Sequence, residues 1–320
     1  MSTETPTRAA PEGPPPTKGV GRPGDRIFSG TALVAALMIL VTLAGVAFFL
    51  SIEGLPAFTA DPEELPGDGG FTGFVSPLLF GTILVSALAL LFAAPVAVGI
   101  ALYISHYAPR RVSKTFGYVI DLLAAVPSVV FGLWGLQVFA PYLGPAFYWL
   151  ESNLGFIPFF AGPVADSGRV MLTAGLVLAV MILPIMTAVC REVFLQTPRL
   201  HEEAALALGA TRWEMIKMAV LPYGRSGVIS GAMLGLGRAL GETLAVTLIL
   251  AVNPTLITFN LISSQNSSTI PANIALDFPE ATGIDVNALI ATGLVLFVLT
   301  FAVNYAARWV ASRGFSGAAG

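Results

Sequence analysis

The sequence predicts an all-α polytopic membrane protein with six transmembrane helices, and two observations carry that expectation. Of 320 residues, 55% are hydrophobic and only 11% charged, with a mean hydropathy of +0.80. A chain of that length has more apolar surface than one soluble core can hide. Apolar stretches long enough to cross a hydrocarbon core also recur along it, near 29–51, 77–104, 118–143, 170–190, 224–252 and 285–310.

Taken in order, residues 1–26 are rich in Pro, Gly and Thr without apolar periodicity, and read as a disordered tail outside the fold. Residues 27–313 form the transmembrane domain. No small-residue cleavage site follows the first stretch, so it reads as an uncleaved span rather than a signal peptide. Pro95, Pro127 and Pro184 fall inside the second, third and fourth spans, where each frees a backbone carbonyl and favours a kink packed against neighbours.

Orientation follows from the basic residues. Apart from Arg169, outside, and Arg238, within a span, every Lys and Arg lies in the tail, in the 2–3 loop, in the 4–5 loop or at the chain's end. These segments share one face, so both termini are expected in the cytoplasm, with the spans in contact with membrane lipid. The outer loops carry Glu53, Asp61, Glu63, Glu64 and Asp68, then Glu151 and Asp166, then Asp277 and Glu280. An outer face without a basic patch cannot gather anions unaided, and a separate binding protein would solve that problem. The polar run 263–269 reads as a solvated connection.

The loop 191–223 has mechanical meaning. Thr197 can cap a helix with Pro198 at its first position, and Glu202 and Glu203 sit early, where the helix dipole favours them. Gly209 can supply a left-handed stop, and Thr211 with Glu214 forms a capping-box pattern for a second helix. Two short helices joined at a glycine make either a rigid projection that transmits force or an amphipathic pair lying on the membrane surface. Both readings are open at this level.

In span five, Gly227, Gly231 and Gly235 make a small-residue stripe, and Arg238 and Glu242 fall on the same helical face. An arginine at mid-membrane costs about 2.5 to 3.5 kcal/mol on insertion scales, so this face is expected to meet protein rather than lipid. Glu242, one turn on, is expected within reach of the guanidinium. Such a pair either fixes helix packing or forms a translocation site, Arg238 meeting a tetrahedral oxyanion through its planar fork while Glu242 orients that fork, tempers its hold and can accept a hydrogen bond from a phosphate hydroxyl.

Asp121, near the start of span three, is a further pathway candidate whose competing reading is a boundary charge or helix cap. Trp134 and Trp149 read as interface markers. His106 and His201 show no metal-ligand spacing and are expected to be solvated, and the single cysteine, Cys190, reads as a small buried residue that excludes an internal disulfide. No metal, cofactor or nucleic-acid partner is expected. Neither a nucleotide-binding loop nor a Ser-His-Asp set occurs, so the chain reads as a transport subunit without catalytic residues, whose energy enters from a partner.

The order Glu203-Ala204-Ala205, Gly209, Ala219, Leu221-Pro222 resembles the EAA signature of ABC importer permeases, which usually has isoleucine where Ala219 stands. Together with Arg191-Glu192-Val193-Phe194, the stretch 126–135 and Gly237-Arg238-Ala239-Leu240-Gly241-Glu242-Thr243, it is similar to the PstC family of phosphate permeases over most of the chain after the tail. The resemblance implies a type I ABC importer (MetI-like) fold in the plasma membrane of a prokaryote and import of inorganic phosphate. It also implies a PstA-like homologous permease, two PstB-like ATPase subunits that seat Glu203, Ala204, Ala205, Gly209, Leu221 and Pro222, and an extracytoplasmic PstS-like binding protein. It makes Arg238 and Glu242 important for translocation. Other expectations from the residues are a permease for sulfate or molybdate, an ion-coupled secondary carrier in which the two residues exchange protons, or a membrane-embedded interaction or sensor subunit.

Overall fold

The computed structural model describes residues 23–65, 69–250, 252–253 and 256–313. The tail expected over 1–26 lies almost wholly outside this range, as does Asp68. The described residues divide between 49 and 50 into two compact units.

The described residues are overwhelmingly helical: α1 (Pro23–Thr59), α2 (Gly70–Leu102), α3 (Arg110–Ala124), α4 (Ser128–Trp134), α5 (Ala140–Leu154), α6 (Met171–Leu195), α7 (Arg199–Ala207), α8 (Arg212–Met215), α9 (Leu221–Leu240), α10 (Leu244–Ile249), α11 (Ile270–Asp277) and α12 (Ile284–Arg313). Wider π turns at Tyr103–Tyr107, Gly135–Phe139 and Ile216–Val220 extend α2, join α4 to α5, and join α8 to α9. Five of the resulting helical stretches are long and apolar enough to cross a membrane: Ile27–Thr59, Gly70–Tyr107, Ser128–Leu154, Met171–Leu195 and Ile284–Val310.

The remaining expected crossing, 224–252, is interrupted. α9 stops at Leu240, and α10 starts only at Leu244. The third crossing begins later than its apolar run suggests. Pro127 kinks no helix but takes the position ahead of α4, with φ −59° and ψ 142°, and the residue before a proline is pushed away from helical geometry. The stretch 118–124 therefore belongs to the separate helix α3. Pro95 and Pro184 do sit inside helices, α2 and α6.

α6 is the axis of the second unit, with Val177, Leu178, Ile182, Met186 and Phe194 fully enclosed. One side of it meets α2 along Ala89, Ala93 and Ala97, where a Cβ on Gly175 would stand 2.8 Å from Leu88. Another side meets α9 through its glycines. Small residues on these seams let backbones approach, which is the main source of helix cohesion where lipid removes the hydrophobic drive.

The polar run 263–269 is not a solvated connection: Ser263, Asn266, Ser267, Ser268 and Thr269 are buried. Its polar groups are satisfied from distant parts of the chain. The Asn266 side chain accepts from the Met171 N–H (3.0 Å) and donates to the Arg169 carbonyl (3.1 Å), Ser267 Oγ donates to the Leu256 carbonyl (2.6 Å), and the Ile270 N–H donates to Thr82 Oγ1 (2.9 Å). A two-residue parallel bridge pairs β1 (Val252–Asn253) with β2 (Asn266–Ser267). Irregular backbone enclosed by protein in this way meets the demand that every buried peptide group be paired.

Candidate functional site

The segment 191–223 folds as a turn of helix, a stop and a restart. Thr197 caps nothing: its hydroxyl is buried without a hydrogen-bond partner, and Pro198, with φ −62° and ψ 126°, stands ahead of α7. The proline ring fixes the entry angle itself, which leaves the threonine one position too early to reach the free N–H groups. Gly209 supplies the left-handed stop at φ +87°, with its N–H on the Leu206 carbonyl (3.0 Å) and the Ala210 N–H on the Ala205 carbonyl (3.2 Å).

The capping box is complete. The Glu214 N–H donates to Thr211 Oγ1 (3.4 Å), and the Thr211 N–H donates to Glu214 Oε2 (2.8 Å). Accepting the Thr211 backbone N–H, and secondly its hydroxyl, holds the Glu214 carboxyl below its ordinary value. The box does not open a second short helix. α8 passes through the turn 216–220 into α9, so the capped end is the start of a membrane-length helix.

Glu203 and Ala204 are exposed on α7, beside Leu200 and Leu208, the latter 90% exposed. Ala205 faces inward, in one cluster with Ala101, Leu102, Phe194, Met215, Ile216 and Val220. Pro222 is exposed and Leu221 half-buried at the start of α9. Behind α7, a cavity of about 990 Å³ opens between α6, α7 and α9, lined by Val193, Gln196, His201, Tyr223 and Arg225 among others.

His106 departs from the expected solvated histidine. Its side chain is only 8% exposed, and its Nε2 lies 3.6 Å from Glu202 Oε1.

Along α9 the glycine stripe packs on α6 as its spacing suggests. A Cβ on Gly227 would meet Val193 at 2.3 Å, one on Gly231 would meet Cys190 Sγ at 3.4 Å, and one on Gly235 would meet Met186 at 2.9 Å. Arg238, a turn later, is half-buried, and its Nε is enclosed without a hydrogen-bond partner among the described residues.

Glu242 does not pair with Arg238. The helix on which the two would share a face ends at Leu240, and the buried Glu242 instead accepts the Ala245 N–H at 3.1 Å, at the first turn of α10. A carboxylate is favoured there by the free N–H groups and by the dipole.

α10 packs on α4, where a Cβ on Gly132 would meet Ala245 Cα at 2.9 Å, and Gly135 lies against Val177 and Ile249. The stretch 126–135 is thus brought against the continuation of the 237–243 stretch. Arg169, absent from the expected site, closes the far end of α10 by donating to the carbonyls of Ile249 (3.3 Å) and Leu250 (3.2 Å). No local pattern announces that contact, since its partners are about eighty residues away. Asp121 is exposed on α3. Among the described residues, no group of three His, Cys, Asp or Glu could hold a metal ion.

The family model described as "Binding-protein-dependent transport system inner membrane component" matches residues 93–314. Among curated proteins, the phosphate transport system permease protein PstC 2 of Mycobacterium tuberculosis is 46% identical over 307 residues, covering 92% of this chain and 94% of that protein. The phosphate transport system permease protein PstC of Mycobacterium leprae is 43% identical, covering 93% and 96%. Among solved structures, a chain of a bacterial ABC transporter that imports the acidic polysaccharide alginate superposes with a TM-score of 0.56 at 18% identity, over 91% of this chain and 96% of that one. A chain of the inward-facing MetNI methionine ABC transporter gives 0.54 at 12%, over 75% and 96%. At such identities these two likenesses speak for the fold alone.

Proposed function

We propose that this chain, which belongs to the family of binding-protein-dependent transport system inner membrane components, is the permease subunit of an ATP-driven importer of inorganic phosphate. The observation that carries the substrate is the 46% identity over 92% of the chain to a phosphate permease. The chain is a transport subunit rather than an enzyme. In this reading two ATPase subunits hydrolyse ATP, a homologous permease completes the pore, and a binding protein delivers phosphate from outside.

The basic loops then face the cytoplasm, and α7 is the coupling helix. Its outward face joins the Glu203 carboxylate to the apolar side chains of Leu200 and Leu208, a mixture suited to seating in a partner's groove. A push on α7 reaches the membrane through Ala205 and the start of α9, biasing the bundle between two packings. The 27–313 stretch works as one permease domain.

Arg238 is the phosphate-contacting residue of this proposal. Its planar fork suits a tetrahedral oxyanion, and its buried Nε has no acceptor among the described residues. Glu242 holds the break in the crossing open by capping α10, and so leaves that charge unneutralised. Discontinuous helices in transporters occur where they line a cavity rather than lipid.

The test is uptake by the reconstituted complex. Wild type should import phosphate in an ATP-dependent manner, with sulfate a poor competitor. Arg238→Gln should lower uptake by at least about tenfold in a complex that still assembles, since losing one partner of a desolvated charge contact costs about 2 kcal/mol or more. Equal competition by sulfate would refute the substrate, and unchanged uptake by Arg238→Gln would refute the site.

A further inference from the structure

Of the contacts that hold α7 to the rest of the chain, two are side-chain contacts of different kind. One is apolar, through Ala205 and its cluster. The other is polar: Glu202 Oε1 stands 3.6 Å from Nε2 of His106, in the π turn that ends the second membrane-length helix. The imidazole is enclosed, with its Nδ1 2.7 Å from Ser105 Oγ, and Glu202 is itself only 24% exposed. Among the described residues this is the one contact between a carboxylate and a basic side chain, so no neighbouring ion pair shares its load.

Geometry gives the pair a task. Glu202 and Ala205 are three residues apart, on one face of the helix and about 4.5 Å apart along its axis. A nine-residue helix has little stability of its own and takes its orientation from what it touches. The apolar contact at Ala205 is non-directional, and the Ala210 N–H bond to the Ala205 carbonyl fixes only the helix's C-terminal end. A second fixed point at Glu202 sets the direction of its axis. Glu203, the next residue, lies on the exposed face.

We propose that His106 is a positioning residue for energy coupling: through Glu202 it fixes the axis of α7 to the end of the Gly70–Tyr107 crossing, so that displacement of the exposed face moves that crossing instead of pivoting the helix. The inference rests on the transport reading above and assigns His106 no contact with phosphate. Lysine at 106 places a permanent cation opposite Glu202.

The experiment measures phosphate imported per ATP hydrolysed by the full complex in proteoliposomes, for wild type, Glu202→Gln, His106→Gln, the double variant and His106→Lys. The two neutral single variants should each lower the ratio by about threefold or more, in keeping with interaction energies between touching residues. The double variant should be no worse than either single one, and His106→Lys should keep most of the wild-type ratio. A purely structural contact would reduce assembly, ATP hydrolysis and uptake together and leave the ratio unchanged. An unchanged ratio in the neutral variants, or a double variant whose loss is the product of the two, overturns the proposal. Absence of ATP-dependent uptake by wild type would instead refute the transport reading itself.

Discussion

The seam between α6 and α9 makes a quantitative demand that two single substitutions can test. At Gly227 an added Cβ would lie 2.3, 2.5 and 2.6 Å from Cγ2, Cβ and Cγ1 of Val193. Carbon atoms pack at about 3.5 to 4.0 Å, so Gly227→Ala requires the two helices to part locally by about 1 Å. The valine cannot swing aside. All three clashing atoms belong to one β-branched side chain with a single strongly preferred rotamer in a helix. At Gly235 the nearest atoms are Cγ and Sδ of Met186, both at 2.9 Å, on an unbranched side chain that can re-route.

Overpacking costs about 1 to 3 kcal/mol. Gly227→Ala should therefore fall near the top of that range and Gly235→Ala at or below its bottom. Unfolding of the purified chain in mixed micelles, titrated with a denaturing detergent, measures both. Val193→Ala in the Gly227→Ala background removes two of the three clashing atoms, and a double-mutant cycle should show a favourable coupling. Equal costs at 227 and 235, or no coupling with Val193, would refute the account of this seam.

Gly209 and Glu214 give two further tests on α7 and its exit. Gly209→Ala meets no atom within 4 Å, but its φ of +87° costs an L-residue about 1 to 2 kcal/mol, so faster amide exchange at that position and at Ala210 is expected without loss of packing elsewhere. The Glu214 carboxyl is held below its ordinary value of 4.5 in the folded chain, so its stabilisation of the α8 start is in place above that pH and is lost as pH falls through the lower folded value. Exchange protection at Thr211 and Glu214 should fade in that acid window, and Glu214→Gln should remove the dependence.

The features legible in the sequence are those whose causes are local. Gly209 and the Thr211–Glu214 box depend on residues within three positions, and the glycine stripe of α9 depends on helical periodicity alone. The burial of 263–269 was hidden because its partners, Thr82, Arg169 and Met171, lie 95 to 188 residues away along the chain. A run of Ser, Asn and Thr looks solvated until the backbone groups that will satisfy it are known. His106 was hidden for the same reason. The interruption at Gly241 did have a signal, since a glycine followed by Glu-Thr is both a helix stop and an acidic start. The surrounding apolar run outweighed it.

That interruption changes what the two charged residues can do. In an unbroken helix Glu242 would stand one turn above Arg238, and a carboxylate at that distance would cancel most of the field an approaching anion meets. Because α9 ends at Leu240, the carboxylate turns to the Ala245 N–H and its charge is spent on the α10 terminus. The guanidinium is left without that carboxylate, and its enclosed Nε–H has no acceptor among the described residues, an arrangement that costs about 1 to 3 kcal/mol in a static bundle. Under the proposed function a passing oxyanion recovers that cost only while it is bound. Extending the helix through the break, for instance with Gly241→Ala, should restore the ion pair and weaken phosphate uptake while stabilising the fold. An uptake rate unaffected by such an extension would mean that the separation of Arg238 from Glu242 has no part in transport.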